Sequence, residues 1–325
     1  MSKAEDFTLG YSRFLFTAAI VAVALAGCSN KSSSSSSGAN VTGPSNATKT
    51  IGVSIQNREA QFYKDMEDGM TAAANRYGYK LIVVDANRDN QRQQSQVEDF
   101  ISKKVDAIVL TPYDSQAIGS AIVEANNANI PVFTADIAST AKQGTVVAHI
   151  ASDNVQGGEQ AGKLMCQALP GKVGTVAIID EPEVTSVQDR VKGFRMALQQ
   201  NCRNVTVVAD LDAGGDRQKA NSTVGDVLQS HKNLKGIFGI NDDSALGAVA
   251  AIKAANASGV VVIGYDATPE AQSAIKSGDM YGDAIQYPAQ IGAKTIQAIH
   301  DYFAGHKPPA RVTVTVGTFT KANAK

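Results

Sequence analysis

The chain has 325 residues, 43% of them apolar and 19% charged, a length that can bury two separate cores. A net charge of −1 gives no electrostatic reason to expect nucleic acid, and nothing reads as a basic recognition helix. With no Trp and only 6% aromatic residues, each aromatic beside a candidate site is notable.

At the N-terminus, Phe14 to Ala26 is an apolar run of thirteen residues behind Arg13. It is too short to span a membrane comfortably and has the length of a signal-peptide core. It ends in Leu25-Ala26-Gly27-Cys28, which resembles the lipobox of bacterial lipoproteins, although Glu5 and Asp6 dilute the usual basic leader. That resemblance implies a signal peptide over 1–28 and acylation of Cys28, which would become the new N-terminus. Residues 29–48 (SNKSSSSSSGANVTGPSNAT) have almost nothing to bury and read as a flexible tether. The expectation is a chain that is exported, lipid-anchored and otherwise soluble.

From Lys49 onward, strand and helix patterns alternate. Strands are expected at Ile51–Ile55, Lys80–Asp85, Ala107–Leu110, Pro131–Thr134 and Val146–Ile150, the last at an edge. Helices are expected at Gln61–Tyr77, Gln91–Lys103 and Ser115–Asn127. A second series follows, with strands at Lys172–Ile179, Val205–Ala209, Gly236–Ile240, Val260–Asp266 and Tyr281–Gln286. Its helices fall at Gly157–Leu169, Val187–Gln200, Gln218–Ser230, Ser244–Ala255, Pro269–Lys276 and Pro288–Ala304, and a Val-Thr alternation closes the chain at Arg311–Val316. Continuous apolar strands separated by helices imply parallel sheets covered on both faces. The fold class is therefore α/β, with two doubly wound parallel-sheet lobes. Cys166 and Cys202 close two helices at the same end of their layer. In an oxidising compartment either a disulfide or two buried thiols fits that placement.

Catalytic patterns are absent. There is no HExxH, CxxC or GxSxG, and His231 and His306 lie in polar turns. Gly157 to Lys163 spells most of a phosphate loop, but Leu164 stands where Ser or Thr must hold magnesium. Asp210 to Asp216 loosely resembles a calcium loop that lacks its bidentate Glu, because Asn221 occupies that place. No enzyme activity, cofactor or metal is implied.

What remains is a set suited to binding. Phe62 and Tyr63 follow the first strand, Asp136, Asn241 and Asp266 end later strands, Arg190 sits on a helix after the strand ending at Asp180, and Gln286 ends another strand. In open α/β sheets, ligands bind outside the carboxyl ends of the strands. Carboxylates accept from adjacent hydroxyls, a guanidinium donates in a plane, an amide does both, and an aromatic face covers the C–H side of a sugar ring. Asp242, Asp243 and Ser244 are expected to cap the following helix instead.

The stretches NANIPVFTAD (127–136), HIASDNVQGGEQAG (149–162), DRVKGF (189–194), GINDDSALGA (239–248), VVIGYDATPE (261–270) and AIQYPAQIGAK (284–294) resemble the type I periplasmic binding proteins, in particular their ribose-binding branch. The resemblance runs from about Lys49 to Thr318. It implies two lobes joined by a three-segment hinge, with 49–151 and 287–312 in the N-terminal lobe and 152–286 and 313–325 in the C-terminal lobe. It also implies a protein that closes on a monosaccharide or polyol and presents it to an ABC permease. The aromatic pair, Asp136, Arg190, Asn241, Asp266 and Gln286 match the family's ligand contacts. Three positions depart: Ala60 replaces an Asn, Ile137 an Arg, and Gly215 an aromatic, so a ligand other than ribose is expected. The membrane would be reached only through the lipid, and the chain would act as a monomer. Presentation of a sugar or autoinducer to a membrane sensor is the alternative role.

Overall fold

The computed structural model describes residues 48–324. The apolar leader, Cys28 and the Ser-rich tether lie outside the described residues, save Thr48.

Apolar β-branched runs form β1 (Thr50–Ile55), β2 (Lys80–Asp85), β3 (Ala107–Leu110), β4 (Val132–Ala135) and β5 (Val146–Ser152), alternating with α1 (Gln61–Tyr77), α2 (Asn90–Ser102) and α3 (Gly119–Asn127). The second series is α4 (Asn154–Ala168), β6 (Val173–Asp180), α5 (Thr185–Asn201), β7 (Asn204–Asp212), α6 (Arg217–Ser230), β8 (Leu234–Gly239), α7 (Asp242–Ala254), β9 (Val261–Asp266), α8 (Pro269–Ser277) and β10 (Gly282–Ile285). The chain ends with α9 (Pro288–Phe303), β11 (Arg311–Val314) and β12 (Gly317–Thr320). Two six-stranded sheets result, ordered β11-β5-β4-β3-β1-β2 and β12-β10-β9-β8-β6-β7. All pairings are parallel except β10 with β12.

Each sheet is buried on both faces by the period-two alternation of its strands. Ile51, Val53 and Ile55 face Met66 and Met70 of α1 and Ile291 and Ile299 of α9, whereas Ile108 and Leu110 face Phe100 and Ile122. In the second lobe Ile178 and Phe238 pack under α4 and α5, and Ala177 and Ile237 under α6, α7 and α8. The glycines of the phosphate-loop lookalike serve packing inside α4. A Cβ at Gly158 would sit 2.0 Å from the Arg190 carbonyl oxygen, and one at Gly193 of α5 2.1 Å from that of Val155. The disulfide Cys166–Cys202 joins the end of α4 to the residue after α5, with Cα atoms 5.7 Å apart.

The chain crosses between sheets after β5, after β10 and after β11. Three details differ from the sequence reading. β5 lies between β4 and β11 rather than at an edge, because the C-terminal alternation splits: Thr313 and Val314 pair with β5, and β12 then joins the other sheet. The last crossing therefore falls beyond residue 313, not before it. The helix expected from Ser115 begins only at Gly119. Asp114 Oδ1 instead accepts from the amides of Gln116 and Ala117, a local turn that competes with helix.

Candidate functional site

The carboxyl ends of both sheets face a cavity of about 350 Å3 between the lobes, within the size range of small-ligand sites. From the first lobe it is lined by Gln56 after β1, Phe62 and Tyr63 in the first turn of α1, and Asp136 with Ile137 after β4. From the second come Glu181 after β6, Arg190 of α5, Asn241 after β8, Asp266 at the end of β9 and Gln286 after β10. All seven ligand-contact residues expected from sequence line this one space.

Two of the carboxylates sit on unusual backbone. Asp136 has φ 65° and Asp266 φ 121°, values that non-glycine residues adopt mainly where surrounding structure imposes them, often at functional sites. Burial raises the Asp136 carboxyl to about 6 against the pull of Arg190 and the Tyr63 hydroxyl. It raises Asp266 to about 7, opposed by Arg190 and Gln286. Gln286 Nε2 donates to Asp266 Oδ1 at 2.7 Å. Asp136 Oδ1 and Gln286 Oε1 are buried acceptors that find no donor among the described residues. Such groups are costly unless a partner arrives.

Arg190 is only 4% exposed. It donates from Nε to Asn154 Oδ1 and from Nη1 to the Ile240 carbonyl, each at 2.9 Å. Burial disfavours its charge, but Tyr265, Asp266 and Asp136 outweigh that effect and hold it cationic. Phe62 and Tyr63 meet edge to face at 5.1 Å between centroids, both nearly enclosed.

Asn241 has a second duty that the sequence reading assigned to its neighbours. It caps α7 itself, its Oδ1 accepting from the Ser244 amide at 2.8 Å, while Nδ2 donates to the Gly215 carbonyl at 3.1 Å. Asp242 instead accepts from the Thr268 amide, and Asp243 pairs with Arg217. The cap falls to Asn241 because it holds the last extended backbone before the helix (φ −146°, ψ 172°).

Gln56 and Glu181 were missed. Gln56 Nε2 donates to Glu181 Oε1 at 2.7 Å across the cleft, and the Tyr63 hydroxyl donates to Gln56 Oε1. Burial raises Glu181 to about 7, opposed by Gln56, Arg88 and Arg190. Both residues follow apolar strands, the same signal that singled out Asp136 and Asp266. Other bridges join the lobes: Ser115 N to the Glu183 carbonyl at 3.1 Å, Thr185 N to Ser115 Oγ at 3.1 Å and Ala138 N to Thr185 Oγ1 at 3.0 Å. Ile137, 1% exposed, packs into the second lobe's core with Val184 and Val187. The lobes are closed upon each other. Among the described residues no group of three or more His, Cys, Asp or Glu could hold a metal ion.

Comparison with known proteins accords with this architecture. The ribose import binding protein of Escherichia coli strain K12 is 32% identical over 275 residues, covering 85% of this chain and 92% of that one. That of Bacillus subtilis strain 168 is 36% identical over 261 residues, covering 79% and 83%. The crystal structure of an ABC transporter periplasmic solute-binding protein from Actinobacillus succinogenes with bound D-allose superposes with a TM-score of 0.78, at 29% identity and with 85% of this chain and 99% of that one covered. Residues 51–307 match the model of the periplasmic binding protein domain. The chain belongs to that family, whose members are binding proteins rather than enzymes.

Proposed function

We propose that this protein captures a sugar or polyol between its lobes and delivers it to an ABC importer in the periplasmic compartment. The observation that carries the reading is the pair of buried, partnerless acceptors, Asp136 Oδ1 from one lobe and Gln286 Oε1 from the other, in one cavity. Hydroxyl groups that bridge them would join the lobes and shift an open–closed equilibrium toward the closed form. In this reading Phe62 and Tyr63 cover the ring, Arg190 donates, and Asp136, Asn241, Asp266 and Gln286 satisfy hydroxyls. The names of the relatives, ribose import and a solute-binding protein holding D-allose, support the ligand class and the transporter partner.

We further propose that Cys28 carries a lipid that tethers a monomeric binding domain to a membrane. Mass spectrometry of the mature N-terminus and release of Cys28→Ala into the soluble fraction test the anchor. For the ligand, calorimetry with pentoses, hexoses and alditols is expected to find at least one binder, and Asp266→Ala to abolish it. No heat from any of them would overturn the sugar reading.

A further inference from the structure

We propose that Glu181 is a further ligand contact, one that selects a sugar bearing a hydroxyl donor at the Gly215 end of the cleft; this rests on the sugar-binding reading above. Glu181 is 6% exposed and Gln56 2% exposed. The Tyr63 hydroxyl occupies Gln56 Oε1, so the amide must turn its Nε2 toward Glu181 Oε1. That bond uses one carboxylate oxygen. Oε2 has no donor among the described residues and points at Gly215, 2.6 Å from where a Cβ on that residue would lie.

Gly215 is what leaves Oε2 open. Any side chain there would occupy the same space, and φ 62° at this position favours glycine besides. Asn241 Nδ2, on the same side of Gly215, donates one of its two N–H groups to the Gly215 carbonyl. In its ionised form Glu181 only accepts, so the group that satisfies Oε2 in that form is a donor. Charge points the same way. Asp136, Glu181 and Asp266 line the cavity around the single enclosed guanidinium of Arg190. Of the cations at the rim, Arg88 is paired with Glu59 through Nη1 and Arg217 with Asp243 and Glu270, while Lys64 is exposed to solvent. An anionic sugar would add unpaired charge to an enclosed acidic site.

The test is calorimetry of wild type, Glu181→Gln and Glu181→Asp with D-ribose, D-allose, D-fructose, xylitol, myo-inositol, D-glucose and D-glucuronate, plus the mono-deoxy analogues of the tightest binder. Glu181→Gln keeps an acceptor for Gln56 but places an amide donor where Oε2 was. It is expected to weaken the tightest sugar by roughly tenfold or more and to erase the preference over one deoxy analogue. Its rejection of D-glucuronate relative to D-glucose should also relax. Glu181→Asp should retain both preferences, and it carries the test if the Gln variant does not fold. A uniform loss for every compound, the signature of a latch alone, would overturn the proposal, as would unchanged affinities. Wild type that binds none of the compounds would overturn the sugar reading itself, and this inference with it.

Discussion

Arg190 lies over Tyr265, its guanidinium carbon 4.1 Å from the ring centroid, and both residues converge on one atom. Asn154 Oδ1 accepts from Arg190 Nε at 2.9 Å and from the Tyr265 hydroxyl at 3.2 Å. Asn154 opens α4 just after the first crossing between sheets, so the hinge, the stacking ring and the guanidinium form one unit. A lysine cannot stack or donate in a plane. Arg190→Lys is therefore expected to lower sugar affinity by roughly tenfold or more, measured by calorimetry, with an unchanged circular dichroism spectrum.

Ile137 belongs by chain to the first lobe and by packing to the second. Its burial exists only when the lobes are closed. Truncating a buried Ile to Ala costs about 2–5 kcal/mol, and here that cost falls on the closed form. Ile137→Ala is expected to weaken ligand binding severalfold or more while barely moving the melting temperature of the open, ligand-free protein. A larger effect on that melting temperature than on affinity would contradict this assignment.

Behind Asp266 lies a second layer of acid. Asp283 is fully buried and Asp242 3% exposed. Burial, with Asp266 adding, raises Asp283 to about 7, and burial with Asp283 beside it raises Asp242 well above the ordinary range. A carboxyl raised above its unfolded value of about 3.9 holds its proton longer in the folded state. Its stabilisation is complete below the unfolded value and is lost as pH climbs through the folded one. Ligand-free protein is expected to melt higher at pH 5 than at pH 8. Asp283→Asn, whose amide can donate to Asp242 without titrating, should flatten that slope in differential scanning calorimetry.

The Cys166–Cys202 bond closes a loop spanning 36 positions. Chain-entropy arguments assign such a loop roughly 4 kcal/mol. Urea unfolding with and without dithiothreitol is expected to show a drop of about 2–4 kcal/mol, and Cys202→Ser should reproduce the reduced curve.

The local rules that were legible are those whose physics is local. Apolar strands ending in Asp or Asn marked Asp136, Asn241 and Asp266, because strand ends in a parallel sheet all open on one edge. Gln56 and Glu181 obeyed the same rule and were overlooked, since a lone Gln or Glu after a strand carries no sign of what it will face. The cap of α7 was misassigned among four consecutive polar residues, Asn241 to Ser244. Which of them holds the last extended backbone is a matter of a single φ/ψ pair.

By itself, the sequence determined the two-lobed α/β architecture and most of the candidate contacts. Hydrophobic period and strand-end chemistry are properties of neighbouring residues. Only the tertiary structure decided that Ile137 serves the other lobe's core, that Gln56 reaches Glu181, and that Gly215 leaves a carboxylate oxygen open. Those relationships join positions up to 125 residues apart across a cleft whose closure no local pattern encodes.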